Sequence, residues 1–213
     1  MAMAQQDWLG AAVYLSNFSE LTLTLGDITC ALAAAQQSVE LADRSGDGFW
    51  RMASRTKLAD ARHQAGQWSE AAAEFCAAEA LQQERQPQYP MLYSLQGFRY
   101  CDLLLSQKQF QEVQLYAAQT LQWEGERLLD IALDQLALGR AHLGLTRQTG
   151  TANEMFVQHL AQAADWLYRA VDGLRQAGHQ EILPLGLLAR AEWARVAKQF
   201  DQARRDLAEA FTI

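Results

Sequence analysis

Apolar residues recur every three or four positions along most of the chain, a spacing that gathers them on one helical face and does not suit a strand. The clearest stretch is "LADARHQAGQWSEAAAEF", residues 58–75, in which two amphipathic segments flank a single glycine. "YCDLLLSQKQFQEVQLYA", residues 100–117, has the same pattern. Superimposing such segments yields five copies, anchored on Ala31, Ala71, Val113, Ala163 and Ala203, at intervals of 40, 42, 50 and 40 residues. Three places before each anchor stands a large apolar residue: Ile28, Trp68, Phe110, Leu160 and Phe200. A small anchor lets two helices approach closely. The large residue before it is expected to fill the space between successive hairpins.

An amphipathic helix precedes each anchor segment. The spacing predicts these over Trp8–Leu25, Phe49–Ala65, Met91–Gln107, Arg127–Leu145 and Leu183–Ala197. Gly26 and Gly66 suit helix C-termini, where a left-handed backbone is needed, and Asp27 can cap the following helix. "RSGDG" at 44–48 and "QPQYP" at 86–90 read as breaks, and Pro90 and Pro184 suit a first helical turn. The expected architecture is all-α: ten antiparallel helices in five hairpins, covering 7–45, 46–86, 88–124, 126–178 and 181–213 as one repeat domain. The fourth repeat carries about ten extra residues, assigned to an irregular surface loop at "LTRQTGTANEMF", residues 145–156.

Composition agrees with helix. Half of the 213 residues are hydrophobic, Ala, Leu and Gln abound, and only 3 are proline. A net charge of −7 without a Lys/Arg-rich block argues against a nucleic-acid surface. No apolar run is long enough for a membrane span, and "MAMAQQDWLG" lacks the features of a signal peptide. Cys30, Cys76 and Cys101 are far apart and odd in number, so they are read as small buried hydrophobes in a reducing cytoplasm.

Signatures of chemistry are absent. No glycine-rich phosphate loop, GxSxG or HExxH occurs. His63, His142, His159 and His179 lack close metal-ligand spacing, and Asp43 and Asp47 lack the other ligands of a calcium loop. The expectation is a non-enzymatic chain without cofactor or metal. Tyr89, Tyr93, Phe98 and Tyr100 cluster in the third repeat, where they serve packing or anchor a bound peptide.

Three stretches carry a family resemblance. "EAAAEFCAAEA" places Ala71, Phe75 and Ala78 at small–x3–aromatic–x2–Ala spacing, "LALGRA" holds the pair Leu138–Gly139, and "QARRDLAEA" places Ala203, Leu207 and Ala210. In these the chain resembles a tetratricopeptide (TPR) array over nearly its whole length. It departs from the pattern in its period, longer than the usual ~34, and in having Asp43, Gln83 and Gly125 where a repeat-ending proline is usual. A HEAT-like solenoid, with a period of about 40–47, is the alternative. The resemblance implies a right-handed α-solenoid whose first helices line a concave groove that binds a protein or peptide. The longer repeats are also similar to those at the C-terminus of bacterial STAND-type signalling ATPases and related transcription regulators. That likeness implies a sensor or regulatory segment of a larger protein.

The implied groove has three rows. The central one is Glu20, Asp60, Asp102, Arg140 and Glu192. One turn later come Leu23, His63, Leu105, Leu143 and Arg195, and one turn earlier Ser16, Thr56, Phe98, Leu136 and Leu188. Of these, Glu20, Thr56, Asp60, His63, Phe98, Asp102, Leu136, Arg140, Glu192 and Arg195, with Arg99 beside Asp102, are the candidate partner-binding residues. TPR domains that clamp a C-terminal carboxylate use Asn and Lys here. An acidic row instead suits a basic segment, unless its members pair along the stack, with Asp102–Arg140 the foremost pair. The implied partner is a protein or peptide, neither nucleic acid nor membrane. The last helix, with Ala203, Leu207, Ala210 and Phe211, is expected to present an uncapped apolar end that could join two copies.

Overall fold

In the computed structural model, the described residues are 7–123, 125, 127–149 and 153–213. Among them are ten α-helices: α1 (Trp8–Thr24), α2 (Ile28–Ser45), α3 (Gly48–Gln64), α4 (Trp68–Arg85), α5 (Ser94–Ser106), α6 (Phe110–Leu121), α7 (Leu128–Thr149), α8 (Glu154–Ala177), α9 (Leu183–Val196) and α10 (Phe200–Thr212). They pack as sequential antiparallel pairs. The chain divides into two compact units, one ending at Leu92 and one beginning at Tyr93. In the first unit α1 packs on α2 and α3, α2 on α3, and α3 on α4. In the second, α5 packs on α6 and α7, α6 on α7, α7 on α8 and α9, α8 on α9, and α9 on α10. Within each unit, then, a first helix touches both its own partner and the next first helix.

The anchor register is visible in the burial. Ala31, Ala71, Val113 and Ala163 are fully buried, and Ala203 nearly so. Four places on, Ala35, Phe75, Ala117 and Leu167 are also fully buried, whereas Leu207 is half exposed. The first unit packs largely through alanine and serine, which lets backbones approach closely. Ser19 Oγ donates to the Ala31 carbonyl at 2.9 Å, and Ser38 Oγ to the Ala12 carbonyl at 2.8 Å, so these hydroxyls are buried without penalty. The second unit has a larger apolar core, including Leu133, Leu136, Leu167, Leu174, Leu187 and Trp193.

Four hairpins share one turn. After α1, α3, α5 and α9, a residue with positive φ ends the helix: Gly26 (83°), Gly66 (75°), Lys108 (61°) and Lys198 (60°). In each, its N–H reaches the carbonyl three residues back, and the next N–H reaches the carbonyl five residues back; for Gly66 and Gln67 both bonds are 2.9 Å. This is the Schellman pattern, which satisfies the last carbonyls of the helix. Two of the four turns hold lysine where only glycine avoids strain. Lys108→Gly is expected to raise stability by about 0.5–1 kcal/mol, and Gly66→Ala to lower it by about 1 kcal/mol, in urea titrations. A loss of stability in Lys108→Gly would contradict the strain argument.

Several expectations are corrected. The stretch 145–156 is mostly helix: α7 continues to Thr149 and α8 starts at Glu154, with Asn153 Oδ1 accepting the Met155 N–H at 3.1 Å. The extra residues largely lengthen these two helices, because burial continues through Leu143, Leu145 and Thr146; residues 150–152 lie outside the described ones. The third first-helix starts at Ser94, not Met91. Before it, the Gln82 side chain donates to the Tyr89 carbonyl at 2.9 Å, and the Leu92 N–H donates to Glu79 at 3.2 Å. These bonds hold the segment around Pro90 out of helix, whereas Pro184 does lie in the first turn of α9. Ile28, Trp68 and Phe200 do not fill gaps: each starts a helix and stays at least a third exposed. Phe110 is buried because α7 passes over it at Gly144, where a Cβ would come within 2.3 Å of the ring. Cys101 is buried, but Cys30 is only partly so and Cys76 is exposed.

Candidate functional site

The central polar row is half-buried at all five positions, Glu20, Asp60, Asp102, Arg140 and Glu192. The carboxylates of Glu20, Asp102 and Glu192 meet cations on the neighbouring first helix. Glu20 of α1 pairs with Lys57 of α3. Asp102 of α5 lies 2.6 Å from the Arg140 guanidinium of α7, the pair expected from the sequence. Glu192 of α9 pairs with Arg147 of α7. The row is therefore a ladder of ion pairs tying first helices together within each unit. In partly exposed surroundings each rung contributes roughly 0.2–1 kcal/mol. With Glu20, Asp102 and Glu192 so paired, these contacts follow the alternative in which the row's members pair along the stack.

The flanking rows divide. Thr56, His63, Phe98 and Leu136 are buried and do not present a surface. Thr56 turns its hydroxyl back to the Ala53 carbonyl at 2.7 Å, and Phe98 and Leu136 belong to the core. These positions face the partner helices of the fold, because a first helix must bury one side against its own hairpin and another against the next first helix. Leu188 (47% exposed) and Arg195 (65% at the side chain) remain open, while Arg99 on α5 is half-buried.

In the second unit, α5, α7 and α9 enclose an open hollow of about 390 Å³. Leu105, Leu143, Leu185 and Leu188 supply apolar surface, and Arg140, Arg147 and Glu192 supply charge. An apolar floor with a few charged groups at its edge is the arrangement expected of a recognition groove.

A second hollow, about 510 Å³, opens where α6, α7 and α8 meet, lined by Gln114, Leu138, His142, Gln162 and Trp166 among others. Beside it the Nδ1 atoms of His142 and His159 are 3.1 Å apart, and the Gln114 amide nitrogen is 2.9 Å from His142. Sequence spacing missed this pair, which is 17 residues apart. Its signal was symmetry: His142 and His159 are almost equidistant in sequence from residues 150–151, so the antiparallel pairing of α7 and α8 sets them opposite each other. Burial, then the neighbouring His159 ring, pushes the His142 imidazole down to about 4.

That depression gives a signed pH dependence. Between pH 6.5 and about 4 the unfolded chain binds a proton at His142 that the folded chain does not. The contribution is full above pH 6.5 and is lost on acidification. The expected loss is about 2 kcal/mol between pH 6.5 and 4.5, measured by urea unfolding with a chelator present. His142→Gln should flatten that window. A wild-type profile that stays flat there contradicts the reading.

Sequence reasoning also missed a deeply buried ion pair. Arg190 (4% exposed) and Asp206 (1%) join α9 to α10 by bonds of 2.9 and 2.7 Å. Among the described residues, no three of His, Cys, Asp and Glu gather as a metal site, and no helix is long and apolar enough to cross a membrane. No protein-family model, curated protein or solved structure matches the chain.

Proposed function

We propose that the chain is a TPR-like repeat module that binds a segment of another protein on the first-helix face of its second unit. The observation that carries this reading is the hollow between α5, α7 and α9, with exposed Leu185 and Leu188 beside charged side chains. The four equivalent turns and the helix-to-next-helix packing support a repeat of TPR type. Arg147, although paired with Glu192, keeps 58% of its side chain exposed, and Arg195 keeps 65%. The favoured occupant is therefore a segment with an apolar anchor flanked by carboxylates, not a basic one.

A displayed random-peptide library selected on the wild-type protein tests this. Enriched sequences should pair Leu-like residues with Asp or Glu. Leu188→Glu should weaken those peptides at least about tenfold, the equivalent of 1.4 kcal/mol, by fluorescence anisotropy, whereas Trp68→Glu should not. Peptides that bind Leu188→Glu as well as wild type would place recognition elsewhere.

A further inference from the structure

The paired histidines carry an inference independent of the groove. We propose that His142 and His159 form a two-imidazole site for a borderline divalent metal such as Zn²⁺, Cu²⁺ or Ni²⁺. The Nδ1 atoms are 3.1 Å apart. Two nitrogens on one metal at about 2.0–2.1 Å are separated by roughly 2.9 Å at a right angle and roughly 3.3 Å at the tetrahedral angle. The observed separation falls between these limits, so both rings already have the bite of a shared ion.

The site is built from rigid parts. His142 lies on α7 and His159 on α8, the two longest helices, packed along one another. The rings are tilted by 43° with centroids 5.3 Å apart, so they converge at an edge and are not stacked. Without metal, one Nδ1–H donates to the other Nδ1; metal binding requires that ring to take its Nε2–H tautomer, the proton passing from Nδ1 to Nε2 with no net release. A neutral imidazole is the form that ligates. The Gln114 amide nitrogen is 2.9 Å from both ring nitrogens of His142; with the amide turned, its oxygen accepts the Nε2–H of an Nδ1-bound ring and fixes that tautomer. His142 also lines the 510 Å³ hollow, which gives water or a small exogenous ligand access to the remaining positions. No carboxylate or thiolate belongs to the donor set. That composition favours imidazole-seeking metals over Mg²⁺ or Ca²⁺, which need oxygen ligands.

Isothermal titration of the chelator-treated full chain with Zn²⁺ is expected to show one saturable equivalent, with no response to Mg²⁺. His142→Gln and His159→Gln should each weaken it more than about a hundredfold, beyond the roughly 10–100-fold that loss of an outer contact causes. His179→Gln, at the exposed His179–Glu181 pair, should leave it unchanged. Should a ring variant fail to fold, ¹H–¹⁵N spectra of the wild-type imidazoles decide the matter. Zn²⁺ must shift Nδ1 of both His142 and His159 together. Shifts confined to His63 or His179, or no saturable equivalent, would overturn the proposal.

Discussion

Asp206→Ala is expected to destabilise the unit beginning at Tyr93 by about 3–5 kcal/mol, and Arg190→Ala by a similar amount. The reason is burial with full pairing. The guanidinium donates through Nε to Oδ2 at 2.9 Å and through an Nη to Oδ1 at 2.7 Å, and Gln202 adds a third bond to Oδ1 at 2.9 Å. The Tyr168 ring lies under the guanidinium at 4.8 Å and packs edge-on against Trp193, whose indole N–H donates to the Leu160 carbonyl at 2.9 Å. Burial alone lowers the Arg190 pKa, but the hydrogen bonds and charge of Asp206 outweigh it and the net shift is upward. Removing Asp206 therefore leaves a cation in the interior with nothing of opposite charge bonded to it. Arg190→Lys should recover only part of the loss, since an ammonium cannot make the two-pronged contact. The double change Arg190→Met with Asp206→Leu should cost much less than either single change, because it buries no charge. Urea titration of the four variants measures this. Single losses below about 1 kcal/mol would mean that water reaches the pair.

That pair also marks where the sequence stops being readable. Arg190 and Asp206 stand symmetrically about the turn at Lys198, as His142 and His159 stand about residues 150–151. A search for helical periodicity treats each helix separately and does not compare positions across a turn. The anchors were legible because a small residue at a helix crossing is a local demand that each repeat must meet, and Ala31, Ala71, Val113, Ala163 and Ala203 all meet it. The polar row was legible for the same reason, and so was the Asp102–Arg140 rung. The partners of the other rungs were not legible: pairing along the stack depends there on cations of the next first helix, Lys57 and Arg147, which lie outside the row. The size of a residue was a poor guide to its burial. Trp68 and Phe110 hold the same place in their repeats, yet only Phe110 has a glycine of the next helix laid against it.

The same contrast, between equivalent positions with different cover, gives the other large effect. Phe75→Ala is expected to cost about 3–5 kcal/mol, Leu167→Ala about 2–5 kcal/mol and Leu207→Ala under about 1 kcal/mol. All three sit four residues beyond an anchor, so the repeat pattern alone would rank them together. Phe75 and Leu167 are fully enclosed, and truncation leaves both an unpaid transfer term and a cavity. Around Leu167 the packing is tight enough that a Cβ on Gly139 would come within 2.6 Å of its side chain. Half of Leu207 already faces water, as does nearly all of Phe211, so shortening Leu207 opens no cavity. Denaturant midpoints for the three variants measure the ranking. They should be taken at several protein concentrations, because one result would reverse the conclusion about α10. If Leu207→Ala costs as much as Phe75→Ala, and only at high concentration, then the Leu207–Phe211 face is buried against a second copy in solution, and the apolar end of the last helix is an interface.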